Sequence, residues 1–143
     1  MQNDHSAASR KLLLVTAAAM VDASGRVLIA QRPAGKQLGG LWEFPGGKVE
    51  AGEAPEAALV RELKEELDVN VSADALEPFA FASHAYPEFH LLMPLYMIKH
   101  WTGEPVAREA QALAWAHARD LRNYAMPPAD VVLVDRLIEW SAK

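Results

Sequence analysis

No cysteine occurs among the 143 residues. That excludes a disulfide framework and any thiolate metal site, leaving oxygen or imidazole groups to hold an ion. The lack of cysteine suits a reducing compartment, and a cytoplasmic location is expected. Positive charge is also short: 14 Lys and Arg against 19 Asp and Glu give a formal charge of −5. The basic residues form no run or stripe, so a nucleic-acid polymer is not an expected partner. Nor is a membrane, since no apolar stretch is long enough to span a bilayer. Arg10-Lys11 followed by the apolar run Leu12 to Val21 imitates a short secretory signal. The turn Asp22-Ala23-Ser24-Gly25 and the resumption of strand character from Arg26 to Arg32 favour a buried first strand instead. Internal repeats and low-complexity segments are likewise missing.

A chain of this length fits one domain with a respectable core. Residues 1–9, small and polar, read as a flexible N-terminal tail, and the domain is expected over 10–143. Strand patterns cover 12–22 and 26–32, and a loop from Pro33 to Gly40 follows. Leu41-Trp42-Glu43-Phe44 is a short extended piece entering a sharp turn at Pro45-Gly46-Gly47. Pro55 suits the first turn of a helix, and Ala57, Ala58, Leu59, Leu63 and Leu67 carry its apolar stripe to about residue 67. Further strands are expected at 69–72, 76–84, 89–100 and 111–116, with a turn at Trp101 to Pro105. A closing helix should span Val131 to Trp140. The expected class is α/β, a mixed sheet flanked by two helices.

What the chain does have is ordered acidity. Gly47-Lys48-Val49-Glu50-Ala51-Gly52-Glu53 is followed by Arg61-Glu62-Leu63-Lys64-Glu65-Glu66. On a helix Glu62, Glu65 and Glu66 converge on one face, because positions i, i+3 and i+4 stack. Three close carboxylates stay ionised together only beside a positive charge, and a hard divalent cation such as Mg2+ or Mn2+ suits oxygen ligands. A cation would also let an acidic protein approach a polyphosphate. The competing reading is a solvated charged helix face.

Written as a pattern, Gly47 to Val69 is G-x5-E-x7-R-E-U-x-E-E-x-G-U, where U is a bulky aliphatic residue. That stretch resembles the Nudix box, with one departure: Asp68 stands where the pattern has Gly. Asp tolerates the left-handed conformation that ends such helices, so the departure removes no ligand. The upstream run Leu41 to Glu50 and the downstream Gly103-Glu104-Pro105 look like the MutT branch, so the resemblance covers almost the whole domain.

The resemblance implies the Nudix α/β/α sandwich and water attack within a polyphosphate chain, releasing pyrophosphate and a nucleoside monophosphate. It implies Glu62, Glu65 and Glu66 as catalytic residues and as Mg2+ ligands, with Mn2+ as a possible substitute. Which carboxylate is the base varies across the family, and Glu62 leads. The backbone carbonyl of Gly46 would add an oxygen, and Glu109 a further acid from a distant loop. Glu53 and Arg61, with Gly47, look like the family's internal brace.

For the substrate, the resemblance points to Arg32 as a phosphate-reaching guanidinium, whose fork suits phosphate oxygens. Phe44 and Tyr86 match walls of a base pocket. Lys36 and Lys48 are weaker cationic candidates. His84 and His90 lack a third ligand for zinc and read as pocket lining or structure. Asp130 falls where the related enzyme that removes 8-oxo-dGTP carries Asn. Ionised, it accepts only, which suits the N1 and N2 donors of a guanine-type base or the N4 donor of cytosine. Its competing reading is the N-cap of the last helix.

The function implied is Mg2+-dependent hydrolysis of a nucleoside triphosphate, 8-oxo-dGTP first, in nucleotide-pool sanitation. CTP or a 5-modified pyrimidine triphosphate is the alternative. A non-catalytic nucleotide-binding module normally lacks box carboxylates, and all remain here. A Ca2+-binding interaction protein would need an alternating Asp/Asn loop that is missing. The partner expected is a nucleoside triphosphate, with the protein a monomer or homodimer.

Overall fold

The structure is a computed structural model, and it describes residues 10–143. The tail expected at residues 1–9 lies outside the described residues. Seven strands and two α-helices run in the order β1 (Lys11–Met20), β2 (Arg26–Gln31), β3 (Trp42–Glu43), β4 (Gly46–Lys48), α1 (Pro55–Leu67), β5 (Glu77–Ala85), β6 (Phe89–Ile98), β7 (Ala112–His117) and α2 (Pro128–Ser141).

The strands pair in two sheets rather than one. The first, ordered β4-β1-β6-β5, is mixed, because β1 and β6 are parallel and the other pairs antiparallel. The second, ordered β3-β2-β7, is antiparallel throughout. The second half of β1 is apolar without alternation because both of its faces are covered. Ala17 and Ala19 face a core shared with Ile29, Leu133 and Leu137, while Ala18 and Met20 face a second core with Leu59, Leu63 and Leu67. The helices therefore lie on opposite sides, giving a mixed α/β sandwich.

Helix α1 starts at Pro55, as its sequence predicts, and ends where Asp68 turns left-handed at φ 59 and ψ 37. The Asp68 N–H donates to the Lys64 carbonyl, closing the last turn in the role usually filled by Gly. Two local expectations differ, and one element was not anticipated. The Pro45-Gly46-Gly47 segment turns, yet Gly46 to Lys48 continues as β4 against Val15 to Ala17. The run at 69–72 contributes one isolated bridge, Asn70 to Thr102, and then a 3-10 turn at Ala73–Ala75. A second 3-10 turn, Ala118–Asn123, joins β7 to α2 and has no clear sequence signature.

Candidate active site

The β4 strand and helix α1 pack face to face, and Gly47 permits it. A Cβ on Gly47 would occupy the place of the Glu62 carboxylate. Arg61 then ties the segment after β4 to the helix. Its Nε and Nη2 donate to the two Glu53 carboxylate oxygens at 2.8 and 3.0 Å, and Nη2 also donates to the Lys48 carbonyl at 3.2 Å. This bidentate pairing holds the Glu53 carboxyl down at about 2 and raises the guanidinium still further above its ordinary value. Glu53, Arg61 and Gly47 are thus joined in one brace.

The three box glutamates are not equivalent. Glu62 is mostly buried and accepts from Arg61 Nη1 at 3.0 Å, while Glu65 is half-exposed and meets the same nitrogen at 3.4 Å. Glu66 turns inward. Burial pushes its carboxyl far above the usual range, the neighbouring Glu62 and Glu109 push it further, and a hydrogen bond from the Gly46 backbone opposes them. Among the described residues no three acidic or imidazole groups are drawn together closely enough to hold an ion. Arg61 engages both Glu62 and Glu65 through one nitrogen. The donor set still fits a hard cation in kind: the half-buried Glu66 carboxylate is close enough to those of Glu62 and Glu109 to be repelled by both, and among the described residues it makes no ion pair.

Glu66 and Glu109 line a narrow cavity of about 170 Å³ together with Arg32, Lys36, Glu43 and Gly46. Its cations come from the strand end and the following loop, its acids from β3, α1 and the segment before β7. Arg32 pairs with Glu43, Nη1 donating to both carboxylate oxygens at 3.2 and 3.0 Å. Glu43 is a functional candidate that the sequence reading passed over. Burial raises its carboxyl and Arg32 opposes the rise. A charged residue between Trp42 and Phe44 in a strand of two was the available signal.

Arg32 and Glu43 also border a wider cavity of about 520 Å³, whose wall and floor include Leu38, Tyr86, Met93 and Asp130. That volume suits a nucleoside-sized ligand. Tyr86 lines this cavity, edge-on to His84 and beside Phe89. Phe44 does not: its ring lies in the main core at 4% exposure and does not line the cavity. Only its backbone serves the site, because the Phe44 N–H donates to Asp130 Oδ2 at 3.1 Å. Asp130 is not the helix cap either. Pro127 holds that position, and Asp130 sits inside the first turn of α2 at 5% exposure. Burial lifts its carboxyl to about 7, with the Phe44 N–H and Arg32 opposing and Glu43 adding to the rise. His84 and His90 do not line the cavity, and His90 is paired with Ser83 at 2.6 Å.

A larger cavity, about 590 Å³, lies at the far end of β2 and β7 around Ser24, His117 and Trp140. No acidic side chain lines it, so nothing there resembles the chemistry gathered around Glu66. The two cavities that share Arg32 and Glu43 form the candidate site, an acid-rich narrow end and a more apolar wide end.

Comparison with known proteins shows what the chain is similar to. The family model described as "NUDIX domain" matches residues 16–136. A Haemophilus influenzae protein named 8-oxo-dGTP diphosphatase is 38% identical over 130 residues, covering 90% of this chain and 93% of that protein. An Escherichia coli protein named CTP pyrophosphohydrolase is 36% identical over 132 residues, covering 91% and 95%. Among solved structures, one from a study of MutT from Aliivibrio salmonicida and Vibrio cholerae superposes with a TM-score of 0.77 at 34% identity, covering 91% of this chain and 99% of that one.

Proposed function

The chain belongs to the NUDIX domain family, and on that premise we propose that it is a Mg2+-dependent nucleoside triphosphate pyrophosphohydrolase whose first substrate is 8-oxo-dGTP. The observation that carries the reading is the pair of cavities that share Arg32 and Glu43: an acid-rich narrow end lined by Glu66 and Glu109, and a nucleoside-sized recess bordered by the buried Asp130 at the other. Arg32 borders both, so its fork can meet the phosphates where the base and the acids are set apart.

Glu62, Glu65 and Glu66, with the Gly46 carbonyl and Glu109, would hold the cation. Mn2+ is the expected substitute. Such an ion, when bound, neutralises phosphate oxygens and makes an attacking water more acidic. The chain's own groups do the rest. Glu62 is the leading acceptor of the water's proton, being fixed on one side by Arg61 and on the other by the bare backbone of Gly47. Arg32 and Lys36 neutralise the leaving pyrophosphate. Tyr86 offers an aromatic wall to the base, and Asp130 reads its edge.

A pyrimidine triphosphate is the second reading, favoured by the same acceptor: an ionised Asp130 pairs as readily with the cytosine amino group as with the purine N1 and N2 donors. A panel of 8-oxo-dGTP, dGTP, CTP and 5-methyl-dCTP, assayed for pyrophosphate release with saturating Mg2+, tests both. The highest kcat/KM for 8-oxo-dGTP is expected. Highest values for CTP or 5-methyl-dCTP would move the assignment to pyrimidines, and no turnover of any of the four would overturn the proposal. Nucleotide-pool sanitation in the cytoplasm, by a monomer or homodimer, is the corresponding cellular role.

A further inference from the structure

Thr16 is fully buried, and its hydroxyl is the one buried side-chain polar atom without a hydrogen-bond partner among the described residues. Burying a hydroxyl in that condition costs stability, and Val would fill the same volume without it. The location explains what the hydroxyl can do. Along β1 the residues Thr16, Ala18 and Met20 alternate onto the side covered by α1, where Ala18 and Met20 pack against Leu59 and Leu63. Thr16 is the direct antiparallel partner of Gly47. Side chains so paired project to the same side with Cβ atoms about 4.5–5.5 Å apart. The Cβ position of Gly47 is filled by the Glu62 carboxylate, so the Thr16 side chain projects to the side on which that carboxylate lies.

Glu62 is held through Oε2 by Arg61 Nη1, which leaves Oε1 to take a second donor. We propose that Thr16 is a positioning residue for the site: when an ion is bound, its hydroxyl, unpartnered in this structure, donates to the Glu62 oxygen not held by Arg61 and thereby sets the rotation of that carboxylate. The inference rests on the function proposed above. A hydroxyl behind a ligating carboxylate orients it and retains the proper rotamer at the expense of fold stability, which accounts for a threonine where the core would accept valine.

The test compares Thr16→Val, Thr16→Ser and wild type by thermal melting of the metal-free protein, calorimetric Mn2+ titration without nucleotide, and steady-state kinetics. Thr16→Val should melt at or above the wild-type temperature, bind Mn2+ about tenfold more weakly and lose kcat with KM for the triphosphate unchanged, while Thr16→Ser restores both. Wild-type Mn2+ affinity and kcat in Thr16→Val would overturn the inference and leave the hydrolase reading standing. Wild-type protein that neither binds Mn2+ nor turns over any triphosphate would overturn that reading and this inference with it. If Thr16→Val does not fold, Thr16→Ala against Thr16→Ser decides by the same titration: a tenfold gap supports the role, and equal affinities refute it.

Discussion

Replacing Asp130 with Asn is the most informative perturbation of the base end. Burial raises this carboxyl from 3.8 to about 7, so the folded protein holds a proton that the unfolded chain releases near pH 4. The sign follows from linkage. A raised acid pKa means the native state binds more protons between the two values, so stability falls as pH rises through that window and levels off above the folded value. A difference of roughly three pKa units corresponds to about 4 kcal/mol in full, and the part that falls between pH 5 and pH 8 is roughly 2–3 kcal/mol. Asn keeps the acceptor that takes the Phe44 N–H and removes the charge. The assay is urea unfolding of wild type and Asp130→Asn at pH 5 and pH 8. The variant should gain on wild type by roughly 2–3 kcal/mol more at pH 8 than at pH 5. Parallel stability curves across that range would refute the argument that Asp130 is strained by ionisation, and with it the idea that its charge state governs which base edge is accepted. The same variant, run on the four triphosphates, should shift the kcat/KM ratio between purine and pyrimidine substrates, because an amide presents a donor where the carboxylate had none.

Other perturbations probe the phosphate end. Glu65→Gln and Glu66→Gln should each lower kcat by roughly two to three orders of magnitude with far-UV circular dichroism unchanged, and near-normal rates in both with saturating Mg2+ would remove the ion-site argument. Gly47→Ala introduces a methyl group where the Glu62 carboxylate lies. Because the obstructed atoms are the end of a side chain, kcat should fall at least tenfold while the melting temperature moves little, and a wild-type rate would show that Glu62 need not sit there. Glu53 carries a carboxyl lowered to about 2 by Arg61. Its pairing therefore stabilises the fold above the ordinary carboxylate value and is lost as pH falls toward 2, so Glu53→Gln should flatten acid unfolding below pH 4.5; an unchanged acid limb counts against the brace.

Much of this was legible because its causes are local. The α1 boundaries follow from Pro55 at the start, an apolar stripe of period 3.6 and an Asp that accepts a left-handed turn. The Gly47, Glu53 and Arg61 brace connects residues close in sequence. The misread elements depend on distant partners. Gly46 to Lys48 has no strand propensity of its own and extends because β1 supplies a ladder. Val69 and Val71 look like a strand, but they fill the core beside α1 with only one bridge to Thr102. Phe44 fits a pocket wall by its place next to a Gly turn. The structure spends its ring on the core, where an aromatic buries more apolar surface than a cavity wall allows.

The two ends of the site differ in how they are encoded, and that difference bears on function. The acid-rich end rests on one helix and the strand next to it, so a short pattern describes it. The base end is assembled from the end of β2, the loop after it, the β5–β6 connection and the first turn of α2. No spacing rule joins residues so far apart, and Asp130 acquires its raised carboxyl because the fold buries it, against the opposing Phe44 N–H that it accepts. The hinge between the ends is the Arg32 and Glu43 pair, which borders both cavities. A phosphate chain that draws Arg32 away leaves Glu43 buried and without its cation, beside Asp130. Electrostatics then favours retention of a proton on one of the two acids. On the proposed function, substrate phosphates and base recognition would be coupled through a single guanidinium, so Arg32→Lys, which keeps the charge and loses the fork, should alter discrimination among bases as well as KM.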